Sequence, residues 1–462
     1  MQQIITAKLK LKTTPEQHQL LRHTQLTYRD ALNHVSRYAF AHGKVSSAKR
    51  LHQGTYDGVR LLFGLPSQMA CSVMRQVGST YKGLWTKLKK NSEHRKVKYT
   101  RKRFKGLDKA PKYLSPTVTY VYGHDYGFKS DQCVSIMTLH GRMILPYRGY
   151  HPHVALIQQG ASFGEAKLWY DKPHKQYYLL VSLELEVTDP TPEALPTVIG
   201  VDVGMRYLAT TATLTNQSQF YAGKAVRARA DHYARLRKRL QKKGTRSATR
   251  RMIATSGRER RLKLQVNHTI AKSIVQAHPH TLIGLEALTG IRERTKRRTR
   301  RRKKNGRGTE PVSPKARRAN RHVSRWAFAE LQNMIAYKAA LAGSIAIKVD
   351  ADYTSQACPL CGYTDEKNRP RHGLLFICQN KECQYQLRTA RPYTLHADLV
   401  GARNIAIRTL CVWQDWAQTG QLSVAPGSEL GPDASDSETK AARLARLARY
   451  AELRWSSDAS LC

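Results

Sequence analysis

Residues 2–12 alternate enough to form a strand, with Ile5, Ala7, Leu9 and Leu11 set against Thr6, Lys8, Lys10 and Lys12, and then the pattern changes abruptly. TPEQ at Thr14–Gln17 supplies a capping Thr, a Pro at the first helical position and a Gln at the third, able to reach back to the cap. A helix is predicted there, carried on by Leu21, Tyr28, Leu32, Val35 and Ala39 and ended by Gly43, and a second runs through Met69, Val73, Val77, Tyr81 and Leu84. From Thr117 the period returns to two: TVTYVYG, CVSIMTLHG and GRMILPYRG read as strands, and AKLWYDKPHKQYYLLVSLEL as a hairpin with Pro173 in its turn. This order predicts a small β-barrel or sheet carrying a helical insertion after its first strand.

Three prolines in DPTPEALPT, residues 189–197, mark a boundary. Beyond it the pattern predicts strands VIGVDVG and YLATTAT, a strand near Gln219–Ala222, long basic helices, a buried strand TLIGLE, a basic linker, a helix at 324–341 and a strand SIAIKVD. Strands alternating with helices in this way form an α/β sheet. After Thr419 the chain turns acidic and rich in Gly, Pro and Ser, a composition expected to be disordered, before an Ala/Leu/Arg-rich end that suits a short helix.

Charge narrows the partners. Lys and Arg number 79 against 33 Asp and Glu, a formal net charge of +46 over 462 residues. Such an excess repels itself unless a polyanion neutralises it, and its spread over nearly the whole chain favours nucleic acid over an acidic protein or membrane. No apolar run approaches the ~20 residues that span a bilayer, so no membrane partner is expected. The early charges in MQQIITAKLKLKTTPEQ do not suit a secretory signal, which makes a reducing, cytoplasmic and nucleoid-associated prokaryotic location the expectation.

Of eight cysteines, Cys358, Cys361, Cys378 and Cys383 are bunched as CPLC and CQNKEC, sixteen residues apart. Two pairs of this kind predict one closed, structural Zn²⁺ site with four thiolates and no place for water. Cys71, Cys133, Cys411 and Cys462 are read as ordinary thiols.

Two apolar strands end in an acid: Asp202 in VIGVDVG and Glu286 in TLIGLE. A buried carboxylate is costly without a partner, and two strand-end acids on neighbouring strands can face one point. Asp398, in LHADLVGARNIAIR, opens a predicted helix and is the third candidate. Three converging carboxylates suit hard divalent ions, Mg²⁺ or Mn²⁺, of the kind that hydrolyse phosphodiesters with two metals.

VIGVDVGMRYLATT, TLIGLEALTG, YTSQACPLCG and DLVGARNIAIR closely resemble the RuvC motifs and zinc ribbon of TnpB, the nuclease family encoded by insertion sequences (OrfB-like), and of its relatives, the miniature type V CRISPR effectors. The resemblance is specific over residues 198–410 and weaker over 1–197. It implies a multi-domain α/β protein: an RNase H-like (RuvC) nuclease domain with an inserted zinc ribbon, preceded by a β-barrel (wedge) domain carrying a helical (REC) insertion. The implied bounds are 1–15 for the first wedge strand, 16–110 for the helical recognition domain and 111–195 for the rest of the wedge. The nuclease domain follows at 196–350, the ribbon at 351–390, the last nuclease segment at 391–415 and a partly disordered tail at 416–462. It also implies that Asp202, Glu286 and Asp398 are the catalytic acids, that the partners are a guide RNA and a target DNA, and that the chain acts as a monomer or as a homodimer on one RNA. The implied activity is RNA-guided DNA endonuclease; the rivals are a nuclease-inactive RNA-guided DNA-binding repressor and a basic zinc-ribbon protein that scaffolds RNA.

Basic segments supply candidate phosphate contacts. Arg235, Lys238 and Arg239 recur at helical spacing, and Arg297, Arg298, Arg301 and Arg302 stand in the run from Arg292 to Arg307. Tyr99, Phe104, Tyr113, Tyr120 and Tyr122 lie among basic residues and are weighed between base stacking and packing, whereas Trp326, Phe328, Leu331 and Ile335 are read as core.

Overall fold

Helix α1 (Pro15–Ala41) starts where TPEQ predicts: the Gln17 N–H donates to the Thr14 hydroxyl at 3.3 Å and the Thr14 N–H donates to the Gln17 side chain at 3.0 Å. In this computed structural model the described residues are 2–96, 102–115, 117–172, 174–288, 300–302, 309–311, 313, 328–370, 373–422, 448 and 450. They fall into two units, Gln2–Glu186 and Val187–Cys462, each described here by itself.

The first unit adds to α1 the strand β1 (Gln2–Leu11), helices α2 (Ala48–Phe63) and α3 (Ser67–Lys96), and strands β2 (Val118–Tyr120), β3 (Tyr126–Lys129), β4 (Cys133–Thr138) and β5 (Gly141–Arg148). Helix α4 (His151–Gln158) and strands β6 (Ser162–Asp171) and β7 (Gln176–Glu186) complete it. The antiparallel sheet has the order β2-β6-β7-β1-β5-β4-β3, so β1 sits at its centre although three helices separate it in sequence from every partner. Alternate side chains of β1 and β7, Ile5, Ala7, Leu9 and Leu11 with Tyr177, Leu179, Val181 and Leu183, are buried on one face. The sheet is nearly closed: the Tyr126 hydroxyl on β3 donates to the Gly164 carbonyl on β6 at 2.7 Å, and Phe163 stands 4.9 Å from Phe128. Helix α1 is pinned to this sheet by the buried Gln25 side chain, which donates to the Leu168 carbonyl at 3.1 Å.

Three elements here lack a sequence expectation. Helix α2 lies within the stretch expected to be helical but has no expectation of its own, although its buried Leu51, Thr55 and Val59 stand at the helical spacing i, i+4, i+8. Strand β3 and helix α4 are too short to show a period. Pro173 and Tyr99 lie outside the described residues.

The second unit is built on the sheet β10-β9-β8-β11-β14, with β8 (Thr197–Asp202), β9 (Tyr207–Thr213), β10 (Ser218–Ala222), β11 (Thr281–Glu286) and β14 (Ile345–Val349). Strands β8, β11 and β14 run parallel, and β9 and β10 extend the sheet antiparallel. Basic helices α5 (Lys224–Lys243) and α6 (Arg246–Ala254) lead to α7 (Arg258–Ala277), and α8 (Phe328–Leu341) precedes β14. Helices α7 and α8 cover one face through Ile270, Ile274, Leu331 and Ile335 against Ile199, Val201, Ile283 and Leu285. Between α7 and α8 lies a two-stranded pair, β12 (Arg300–Arg302) and β13 (Thr309–Pro311).

After β14 the chain makes a small lobe with a second two-stranded pair, β15 (Leu375–Ile377) and β16 (Thr394–His396), around helix α9 (Gln384–Thr389). It then enters α10 (Ala397–Thr419), which covers the other face of the sheet with Leu399, Ala402, Ile405 and Ala406. Two boundaries differ from the sequence expectation. The lobe extends past 390 because β16 and Tyr393 are part of its core, and α10 continues past 415 because Trp416 is buried against the sheet. The tail after Leu422 lies outside the described residues, Ala448 and Tyr450 excepted, as do Trp326 and Cys462. Among the described residues no helix is long and apolar enough to cross a membrane.

Candidate functional site

Strand register places the first two acids side by side. Leu285 of β11 pairs with Val201 of β8, so Glu286 and Asp202, the next residues of two parallel neighbours, stand side by side at the C-terminal ends of their strands. The third acid arrives on α10, whose close approach depends on two glycines that are themselves register partners, Gly200 and Gly284. A Cβ at Gly200 would collide with the Ala402 carbonyl and the Ala406 N–H, and one at Gly284 with the Thr409 hydroxyl. The glycine two positions before each acid therefore lets the helix backbone lie against the strands and brings its N-terminus over their ends. Gly401 comes so near that a Cβ there would stand 3.0 Å from Asp202 Oδ2. Asp398 is one turn earlier on the same helix, in its first turn, where the helix dipole favours an anion.

Electrostatics report the same convergence. Burial pushes the Asp202 carboxyl well above the usual carboxylate range, and the charges of Glu286 and Asp398 push it further in the same direction, against the opposing pull of Arg369. All three acids are half-buried. Glu286 is oriented by Thr354, whose hydroxyl donates to Oε1 at 3.2 Å, and its strand end is held by the Gln332 amide, which donates to the Glu286 carbonyl at 2.7 Å. An oxygen-only cluster with its charges forced together fits hard divalent cations.

The four cysteines of the lobe also meet: their sulfur atoms all lie within 4.8 Å of one another, and Cys361 and Cys378 are 3.7 Å apart. A tetrahedral zinc shell with bonds of about 2.3 Å separates its sulfurs by about 3.8 Å, so the arrangement is compatible with a structural zinc. Cys358, Cys378 and Cys383 are buried with Phe376, Tyr393 and Val400. The wider CQNKEC spacing is accommodated by Asn380, whose amide donates to Cys361 Sγ at 3.7 Å. Among the remaining cysteines, Cys411 is buried and Cys71 and Cys133 are half-buried.

The candidate basic contacts divide. Arg235, Lys238 and Arg239 are exposed on α5, which Arg237 ties to Glu259 of α7 at 2.6 Å. Arg301 and Arg302 belong to β12, described here by its backbone alone, and Arg297 and Arg298 lie outside the described residues. Of the aromatic candidates, Tyr120 is fully buried, Tyr113 donates to Thr80 at 2.8 Å and Phe104 is half-buried, whereas Tyr122 is exposed. Phe328, Leu331 and Ile335 are core.

Sequence reasoning passed over three residues at the site. Arg369, between the two cysteine pairs, acts electrostatically on Asp202 across a separation of 167 positions; its Nε is buried without a hydrogen-bond partner among the described residues. Thr354 orients Glu286. Arg408 of α10 is buried and donates to the Asp350 and Asp352 carbonyls at 2.7 and 2.6 Å, locking the turn after β14 to the helix that carries Asp398.

Comparison with known proteins agrees with this architecture. The family profile OrfB_IS605, described as a probable transposase, matches residues 181–291, and Cas12f1-like_TNB, the Cas12f1-like TNB domain, matches residues 328–405. The CRISPR-associated endodeoxyribonuclease Cas12f1 of Sulfoacidibacillus thermotolerans is 40% identical over 88 residues, 19% of this chain and 18% of its own length. Cas12f2 of a Micrarchaeota archaeon (strain CG1_02_47_40), named likewise, is 27% identical over 246 residues, 51% of this chain and 40% of its own. The chain thus spans less than half of either relative. A solved cryo-EM structure of a Cas12f1–sgRNA–target DNA complex superposes with a TM-score of 0.50 at 13% identity, covering 84% of this chain and 81% of that one. The fold is multi-domain α/β and Cas12f-like. Together the profiles and relatives support a TnpB-family, Cas12f-related protein.

Proposed function

We propose that this protein is an RNA-guided DNA endonuclease that hydrolyses phosphodiesters at a RuvC-type, RNase H-like site formed by Asp202, Glu286 and Asp398. The observation that carries the proposal is the convergence of those three carboxylates at the C-terminal ends of β8 and β11, where burial and then the charges of Glu286 and Asp398 raise the pKa of Asp202. The relatives named as endodeoxyribonucleases support the reaction class, and the complex with an sgRNA and target DNA supports a guide RNA and a target DNA as partners.

In this reading Gln2–Glu186 holds the wedge sheet with its helical recognition insertion, and the nuclease sheet is completed by α10 after an inserted zinc ribbon. Base pairing with the guide supplies sequence choice beside a short flanking motif. Asp202, Glu286 and Asp398 hold Mg²⁺, which when bound activates water and neutralises charge at the leaving oxygen. Thr354 keeps Glu286 aimed inward, and Arg369 offers a cation to the phosphate. The cysteine ribbon, with its Zn²⁺, fixes the position of Arg369. Exposed Arg235, Lys238 and Arg239 contact phosphates along α5.

The test pairs a gel-shift with a cleavage assay on one duplex matched to the bound guide, for wild type and Asp202→Ala. Wild type should bind and cut in Mg²⁺, and Asp202→Ala should bind without cutting. Binding by wild type with no cutting in any divalent ion would instead establish a guided repressor, and cutting by Asp202→Ala would sink the site assignment.

A further inference from the structure

Beside the acids lies a group of rings that the proposed chemistry does not use. Asp202 of β8 pairs with Thr210 of β9, and Thr210 pairs with Phe220 of β10. Residues opposite one another in a sheet point to the same face, so Asp202, Thr210 and Phe220 form one row on the face covered by α10. Phe220 therefore stands two strand spacings of about 4.8 Å each from Asp202. It is 37% exposed, on an edge strand where polar or charged side chains are the rule.

Two further rings frame it. Tyr207 lies 4.8 Å from Phe220, and His396 lies 5.4 Å from Phe220 and 5.3 Å from Tyr207, with interplanar angles of 60°, 83° and 78°. These tilted and edge-on contacts fix the three rings to one another. His396 is anchored in turn to the helix bearing the third acid, because its Nδ1 accepts the Asp398 N–H at 3.2 Å. The group is thus built into the same framework as the acids, one nucleotide's reach away.

We propose that Phe220, framed by Tyr207 and His396, is a stacking shelf for the nucleobase adjoining the phosphodiester held at Asp202, Glu286 and Asp398. The inference rests on the nuclease reading above. Its occupant is a single DNA strand, since a base inside a duplex has both faces covered and cannot lie on a protein ring. Stacking on a ring accepts every base, so the shelf positions the strand without reading its sequence. Phe220 is accordingly a positioning residue and not a catalytic one.

The test uses the 462-residue chain loaded with a guide RNA, and short single-stranded DNAs complementary to that guide. In Mg²⁺, Phe220→Ala should raise KM about tenfold with kcat within about threefold of wild type, and Phe220→Trp should restore KM. A single abasic position beside the cut should cost wild type the same factor and cost Phe220→Ala nothing more. A second arm works in EDTA, without cutting: 2-aminopurine walked along the strand should be quenched at one position by wild type and Phe220→Trp but not by Phe220→Ala. If wild type cuts no DNA at all, the nuclease reading falls while this quenching still decides the shelf. Equal tolerance of abasic positions by wild type and Phe220→Ala, or quenching that ignores residue 220, overturns the proposal.

Discussion

Two groups of potential anions sit in the second unit, and they are built in opposite ways. The thiols of Cys358, Cys378 and Cys383 are sealed among Phe376, Tyr393 and Val400, each sulfur within reach of the other three. The carboxylates of Asp202, Glu286 and Asp398 are only half-buried, gathered at the ends of two interior strands and served by polar neighbours, Thr354 and Arg369. A closed soft-donor shell can do nothing but hold the chain, whereas an open hard-donor cluster stores like-charge repulsion that a cation and a substrate relieve. On the proposed function, the contrast assigns stability to the thiols and chemistry to the carboxylates.

The largest expected effect separates them directly. Glu286→Ala or Asp398→Ala should each lower Mg²⁺-dependent cutting by about a thousandfold or more, with zinc content and melting temperature near wild type. Cys358→Ser should do the reverse in kind, losing about one Zn per chain by elemental analysis and several kcal/mol of stability by denaturant titration. A Cys358→Ser protein of unchanged stability would erase the distinction.

Next come the glycines under α10. Gly200→Ala meets helix backbone and should cost about 3 kcal/mol, whereas Gly284→Ala meets the buried Thr409 side chain, which turns only by giving up its bond to the Ile405 carbonyl, and should cost about 2 kcal/mol. Urea unfolding of both variants checks the order. The smallest effect carries the most specific sign: in chelator, Asp202→Asn should raise the melting temperature by a few degrees, because it removes the charge that burial, Glu286 and Asp398 all oppose. A lower melting temperature would mean the acids are not in mutual repulsion.

Much of this was written in local pattern. The capping box at Thr14, the alternation in β7 and the two apolar strands ending in acids each depend on neighbours in sequence, and each forms as patterned. The cysteine pairs were legible because metal chemistry constrains their spacing. Helix α2 was legible in the spacing of Leu51, Thr55 and Val59, but with only three buried side chains and Gly54 and Gly58 inside it the segment shows no continuous apolar stripe. Arg369 and Arg408 could not be seen at all, because a cation that serves a distant carboxylate or carbonyl carries no mark among so many other basic residues. In the sequence Phe220 shows only as part of a strand; its place in the Asp202 row needs the register of two strand pairs.

Helix α10 gives these parts a common fate. It carries Asp398, contributes Val400 to the core of the cysteine lobe, and its Asn404 donates to the Thr354 and Ala357 carbonyls at 2.7 and 2.8 Å, tying both the orienter of Glu286 and the approach to Cys358. Two occupancies that share one rigid element are thermodynamically linked, and the linkage is reciprocal. A divalent ion at the carboxylates should therefore tighten the equilibrium hold of the thiols on zinc in competition with a chelator, and zinc at the thiols should tighten the affinity of the carboxylates by the same factor.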